Sequence, residues 1–261
     1  EELLLDFEPG LTRTVSDRLE KYIVADDVQI VEVGALYGLL SVQGPEAGAV
    51  VRSLGFWSEL PPQPGSYSKF VDQTAGELYL MNYPRSGTSG LDLFVPVSAV
   101  ENCAQNLMSS AQALGGRACG WQALEIARIE AGMPRFGIDM DETNFPQECG
   151  IEAQAVSYTK GCYIGQEVLN RIHTMGHVNR QLCGLMLADD LNPLPVKGDK
   201  LLDAGREVGY ITSAVASLKL KRNLGLGYVR REHSQNGTEL MVRTGKGESR
   251  AVVVQLPFCT E

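Results

Sequence analysis

The spacing of apolar positions changes character near residue 180, and different elements are predicted on either side. Upstream, the run at residues 3–7 (Leu-Leu-Leu-Asp-Phe) reads as a strand, and Val15, Leu19, Tyr22 and Ile23 recur at helical spacing after Thr12. Residues 28–33 alternate apolar with charged or polar side chains, as a half-buried strand does, and residues 36–42 read as another strand. Gly44-Pro45-Glu46 opens a helix with proline at its first position, with Val50, Val51 and Leu54 on one face and Gly55 as its stop. Two further strands, 78–81 and 91–95, flank a glycine-rich turn from Arg85 to Gly90. Ser98-x-x-Glu101 reads as a capping box for a helix carried by Val100, Ala104, Leu107, Met108, Ala111 and Leu114 to a Gly115-Gly116 stop. A further helix is predicted over residues 121–131, with Leu124, Ala127 and Ala131 inward.

From Arg180 onward, short apolar runs separated by glycines predict an antiparallel barrel or sandwich. The expected fold class is therefore α+β, with one domain over residues 1–179 and a small β domain over 180–261. A chain of 261 residues is long enough for two cores. Pro61-Pro-Gln-Pro-Gly65 is too short for a domain linker and reads as a stiff loop.

Net charge changes the picture mainly by exclusion. At -9 the chain is not expected to coat nucleic acid, because such binding rests on neutralising phosphates. No apolar run approaches the roughly 20 residues that span a bilayer, and no basic-then-apolar leader opens the sequence. A cytoplasmic protein with no membrane partner is expected. The six cysteines, at 103, 119, 149, 162, 183 and 259, form no Cys-x-x-Cys pair, so reduced thiols are expected. His173 and His177 are four apart, but Gly176 between them argues against one helix face and so against a metal pair.

The most chemically loaded stretch is Lys160-Gly-Cys-Tyr-Ile-Gly-Gln-Glu167. If Gln166 opens a helix through Val168, Leu169 and Ile172, the helix's unpaired N–H groups and positive end favour a thiolate at Cys162, with Lys160 as a second positive influence. The alternative is that Cys162 is a small buried hydrophobe. Arg128 neighbours an inward helical stripe, so it either pairs with an acid such as Asp92 or points into a ligand site. The glycine-rich turn at 85–90 lacks the ending of a phosphate-binding loop and reads as a hairpin connection. By charge alone, the acidic loop at 139–142 is a solvated surface.

The octapeptide resembles the signature of the YgfZ family, folate-binding relatives of the aminomethyltransferase (T-protein) of the glycine cleavage system. The resemblance extends upstream over Arg128 to Glu142 and Asn144 to Glu148, and downstream over Gly184-Leu and the run Gly205 to Ser213. It implies a T-protein-like folate-binding domain followed by a small C-terminal antiparallel β-barrel. It further implies tetrahydrofolate or a reduced folate derivative as cofactor, bound with Asp92, Arg128, Tyr163, Gln166 and Glu167, and a functional thiol at Cys162 assisted by Lys160. Asp92 stands at the place of the family's pterin-partnering acid, although Thr88 and Leu91 depart from the surrounding pattern. Compared with the family, the opening residues match an interior point, so an N-terminal portion is expected to precede them.

Three functional readings follow. The first is a YgfZ-type protein supporting iron–sulfur cluster synthesis or repair, and through it tRNA-modifying enzymes. Its partners would be folate together with iron–sulfur client proteins or assembly factors. The second is a tetrahydrofolate-dependent aminomethyltransferase. The third is a catalytically silent scaffold. The Cys162 signature favours the first.

Overall fold

The computed structural model describes residues 2–258. The chain forms two compact units, Glu1–Ala118 and Cys119–Glu261. Cys259 lies outside the described residues.

In the first unit the elements run α1 (Thr12–Glu20), β1 (Tyr37–Gln43), α2 (Ala47–Arg52), β2 (Tyr67–Asp72), β3 (Gly76–Asn82), β4 (Gly90–Pro96) and α3 (Val97–Ala113). The four strands form an antiparallel sheet in the order β1-β4-β3-β2. Alternate residues of a strand reach one face, and Leu78, Leu80, Leu91, Leu93 and Val95 use it to pack against Val50 and Val51 of α2 and Ala99, Cys103 and Leu107 of α3. The helical spacing was therefore a sound guide to these two helices. Ser98 caps nothing, however: α3 begins one residue before it, at Val97, with Pro96 at the cap. Residues 3–7 and 28–33 form no strand, and β2 is a strand that the apolar pattern does not announce. Extended backbone becomes a strand only where a neighbour pairs its N–H and C=O groups, and β3 does so for β2.

The second unit holds α4 (Trp121–Glu130), the short turns α5 (Pro146–Cys149) and α6 (Glu152–Ala155), α7 (Gln166–Met175), and strands β5 (Arg180–Leu187), β6 (Lys200–Asp203), β7 (Arg206–Ser217), β8 (Arg222–Arg230), β9 (Glu239–Thr244) and β10 (Gly247–Val254). The six strands close into a barrel, in the order β10-β5-β8-β7-β6-β9. Closure leaves no unpaired sheet edge, and the interior is filled by Leu185, Leu201, Ile211, Val229, Val242 and Val253, each at most 1% exposed. Ile129 of α4 packs with Leu224 and Leu226 of β8 in a satellite core. The protein is thus α+β, with a six-stranded antiparallel barrel at its C-terminal end.

Candidate functional site

In the first unit, a carboxylate is held inside the sheet. Asp92 on β4 lies directly opposite Ser41 on β1, so both side chains leave the same face, and Ser41 Oγ donates to Asp92 Oδ1 at 2.7 Å. Arg85, from the β3–β4 connection, donates to Asp92 Oδ2 from Nε at 2.8 Å and from Nη2 at 2.7 Å. Asp92 is 1% exposed, and a charge so buried persists only when paired. Gln43 holds the connection in place: its Oε1 accepts the Arg85 N–H at 2.8 Å, and its Nε2 donates to the Tyr83 carbonyl at 3.1 Å. Arg85 Nη2 also reaches Asp6 at 3.2 Å. Burial raises the Asp6 carboxyl above its ordinary value, and the nearby Asp92 charge acts in the same direction, against the lowering pull of Arg85. The connection at 85–90 is thus a polar clamp on Asp92 as well as a hairpin.

In the second unit, Arg128 on α4 is 5% exposed and uses its full donor set. Nε and Nη2 grip the two oxygens of Glu125, Nη1 reaches the Met133 carbonyl at 3.0 Å and Asp139 Oδ2 at 2.8 Å, and Nη2 reaches Ser213 Oγ at 3.0 Å. Of the two alternatives for Arg128, the ion pair is what the structure contains, with Asp139 and Glu125 as the acids and not Asp92. Asp139 is not solvated, contrary to the expectation from charge. It is 2% exposed, and Oδ1 accepts from Thr212 and Ser213 at 2.6 Å each, while Oδ2 also accepts the Arg135 N–H at 3.0 Å. Its charge is neutralised by Arg128, eleven residues upstream on α4, and the two hydroxyls that complete its shell come from β7, more than seventy residues downstream, which no local charge count can detect. Asp141 and Glu142 are exposed, as expected.

The octapeptide forms a loop running into α7. Gly165 is the N-cap at φ +89°, a left-handed conformation that favours glycine, and Gln166 is the first helical residue, as the sequence predicts. Cys162 is an exposed free thiol at this helix start. Lys160 Nζ lies 5.6 Å from the centre of the Tyr163 ring, a cation–π contact. Gln166 Oε1 accepts the Tyr163 N–H at 3.0 Å, and Glu167 is an exposed partner of Arg171 at 2.8 Å. Gln166 and Glu167 therefore serve the loop and helix themselves. The Tyr163 hydroxyl is buried with no hydrogen-bond partner among the described residues.

α7 stops at Met175, so His173 and His177 do not share a helix face, and no cluster suited to a metal ion occurs among the described residues. His173 instead stacks on Tyr158 with ring centres 4.1 Å apart and bonds Glu152 at 2.9 Å through Nδ1. Of the expected site residues, Lys160, Cys162, Tyr163, Gln166 and Glu167 share one loop and helix start. Asp92 belongs to the other unit. Sequence reasoning missed Ser41, Gln43 and Arg85. The only available signal was an arginine opening a connection that leads directly to Asp92.

The N-terminal domain profile of the T-protein family, described as "GCVT N-terminal domain", matches residues 4–160, and "Glycine cleavage T-protein C-terminal barrel domain" matches residues 180–259. A protein of Halalkalibacterium halodurans named "Aminomethyltransferase" is 31% identical over 92% of this chain and 64% of its own length. Proteins of the same name from Symbiobacterium thermophilum, 29% identical over 89% and 62%, and Bacillus subtilis, 26% over 90% and 64%, are also similar. The chain thus spans a little under two thirds of these relatives. Among solved structures, the glycine cleavage system aminomethyltransferase T from Bartonella henselae superposes with a TM-score of 0.79 at 22% identity, over 96% of this chain and 66% of that one, which establishes the shared fold.

These findings overturn the expectation of a YgfZ-type role in iron–sulfur cluster synthesis and tRNA modification. Relatives over nearly the whole chain are named aminomethyltransferases, so the octapeptide alone was too short to decide between branches of one fold. Iron–sulfur client proteins lose their support as partners for the same reason. No helix among the described residues is long and apolar enough to cross a membrane.

Proposed function

The chain belongs to the glycine cleavage T-protein family, and from that premise we propose that it acts in tetrahydrofolate-dependent transfer of an aminomethyl group. The observation that carries this reading is the buried, clamped carboxylate of Asp92. A carboxylate offers about four lone-pair sites, and three are taken here: one on Oδ1 by Ser41 and two on Oδ2 by Arg85. The remaining site on Oδ1 can accept one further donor, such as a ring N–H of a pterin, and in that respect the residues present fit a reduced folate.

When bound, tetrahydrofolate would supply the amine that accepts the one-carbon unit. The chain's own part would be to bind and orient it. Arg85 and Ser41 fix the Asp92 carboxylate in one rotamer, so little ordering remains at the moment of binding. The Tyr163 hydroxyl, buried without a partner, is the octapeptide's free hydrogen-bonding group. Arg128 would act by position, tying α4 and the 133–139 loop to β7 through Asp139 and Ser213. Aminomethyl transfer makes no demand on a reactive thiol, so Cys162 is assigned no chemical step.

The test is ammonia release from an aminomethyl donor in the presence and absence of tetrahydrofolate. Release that requires tetrahydrofolate and falls at least tenfold in Asp92→Ala supports the reading. Release that ignores tetrahydrofolate, or none at all, counts against it.

A further inference from the structure

A second site lies on the barrel. In the antiparallel pairing of β5 with β8, Arg180 stands directly opposite Arg230. Opposed residues leave a sheet on the same side with Cβ atoms about 5 Å apart, and like charges so placed oppose strand pairing. Arg231 follows at once, and its N–H donates to the Asn179 carbonyl at 3.0 Å, tying the two strand ends together. Three cationic side chains are therefore gathered at one end of the barrel, in a chain whose net charge is -9.

They line an open cleft of about 820 Å³, with His177 and Asn179 on the β5 side and Glu148 and Glu232 as its acids. The volume falls within the usual range for small-molecule sites, roughly 300–1,000 Å³. The charges are not paired off evenly. Glu148 receives Arg180 Nε and Nη2 at 3.1 Å each, one donor to each of its oxygens, and the Arg180 guanidinium also lies 5.1 Å from the centre of the Tyr228 ring. Glu148 and Arg180 thus form a satisfied wall. Arg230 and Arg231 are exposed and have no side-chain partner among the described residues. Glu232 beside them supplies one negative charge against two positive ones.

We propose that this cleft binds a small-molecule oxyanion carrying at least two negative charges, of the phosphate-ester or pyrophosphate class. Arg230 and Arg231 are its forked donors, and His177 and Asn179 donate from the facing strand end. A guanidinium presents two parallel N–H groups that match the oxygens of such a group. Donors arriving from two strand ends suit a tetrahedral head better than a planar carboxylate. Relief of the Arg180–Arg230 repulsion favours the bound state. The site lies wholly in the second unit and does not depend on the folate reading.

Inorganic pyrophosphate is the probe, titrated calorimetrically into the intact chain. Saturable one-to-one binding is expected, weakening steeply with added salt. Arg230→Ala and Arg231→Ala should each lower affinity about tenfold, as loss of a charge-assisted donor pair does. Glu232→Gln should raise it at least twofold, because it removes a repelling charge, an effect that no purely structural role of these residues would produce. All three positions are exposed, so no urea midpoint should fall below that of the parent chain, and Arg230→Ala should equal or slightly exceed it. No saturable binding at millimolar pyrophosphate, unchanged affinity in both arginine variants, weaker binding in Glu232→Gln, or succinate binding as tightly as pyrophosphate would each overturn the proposal.

Discussion

Replacing Asp139 with alanine removes the acceptor at the centre of the network on α4 and β7. Four hydrogen bonds end on this carboxylate, from Arg128 Nη1, the Arg135 N–H, Thr212 and Ser213. Some donors keep other partners: Arg128 retains Glu125, and Thr212 retains the Leu226 carbonyl at 3.1 Å. One Arg128 Nη1 proton and the Ser213 hydroxyl proton lose theirs, while the other Nη1 proton keeps the Met133 carbonyl, and both side chains are buried. Breaking a buried ion pair by removing one partner costs about 3–5 kcal/mol when the charge left behind is uncompensated, and the retained Glu125 contact places this loss at the lower end. For a chain of this size that lowers the melting temperature by roughly 6–20 °C. Urea denaturation followed by circular dichroism would read the loss as a lower midpoint at constant slope. Arg128→Leu combined with Asp139→Ala should cost clearly less than the sum of the two single changes, since the two side chains bond each other directly. A loss below about 1 kcal/mol for Asp139→Ala, with additive behaviour in the double variant, would mean that this acid is solvated and the network argument wrong.

Further outcomes follow from burial, charge and close contacts. Iodoacetamide near neutral pH should modify exposed Cys162 well before Cys103, Cys149 and Cys183, where burial raises the thiol, at Cys183 to about 11; mass spectrometry of digests gives the order. Cys162→Ser should leave aminomethyl transfer within about twofold of the parent, and a hundredfold loss would restore the thiol to the mechanism. Asp72, held below the ordinary range by the Ala75 N–H, Glu77 by Lys69, Asp141 by Thr143 and Glu152 by Tyr158 bind protons less readily when folded. Their contribution is complete above the unfolded values near 4 and lost as pH falls through the folded ones, while raised Asp6 works in the opposite sense. Denaturation midpoints should therefore drop below about pH 4, and a rise there would contradict these assignments. Gly209→Ala should destabilise the barrel by about 1–3 kcal/mol or more, because its Cβ would lie 2.1 Å from the Tyr228 carbonyl oxygen; an unchanged urea midpoint would refute that contact.

Much of the fold could be read from spacing. The helices at 12–20, 97–113, 121–130 and 166–175 carry apolar residues at helical intervals, and the change at Arg180 marks the first barrel strand. Residues 3–7 and 28–33 show the limit, since alternation is a property of one segment whereas a strand needs a second one to pair with. The candidate site was legible to a different extent. Asp92 and Arg128 stand out as chemistry beside apolar runs, but their partners, Ser41 and Arg85 for one and Asp139 and Ser213 for the other, are set by sheet register and by contacts up to 85 residues apart. Asp139 was the most misleading residue, because with Asp141 and Glu142 beside it the loop gives every local sign of being solvated. The octapeptide misled on function for the converse reason: seven well-matched residues outweighed the rest of a 261-residue chain.

The central claim, that a reduced folate binds through the Asp92 carboxylate, is tested most directly by calorimetric titration of tetrahydrofolate into the chain and into its Asp92→Ala variant. A hydrogen bond to a buried charged group is worth about 1.5–3 kcal/mol, so the variant should bind at least roughly tenfold more weakly than the parent. Equal affinity of the two proteins, with both folded, would remove Asp92 from the site and contradict the account.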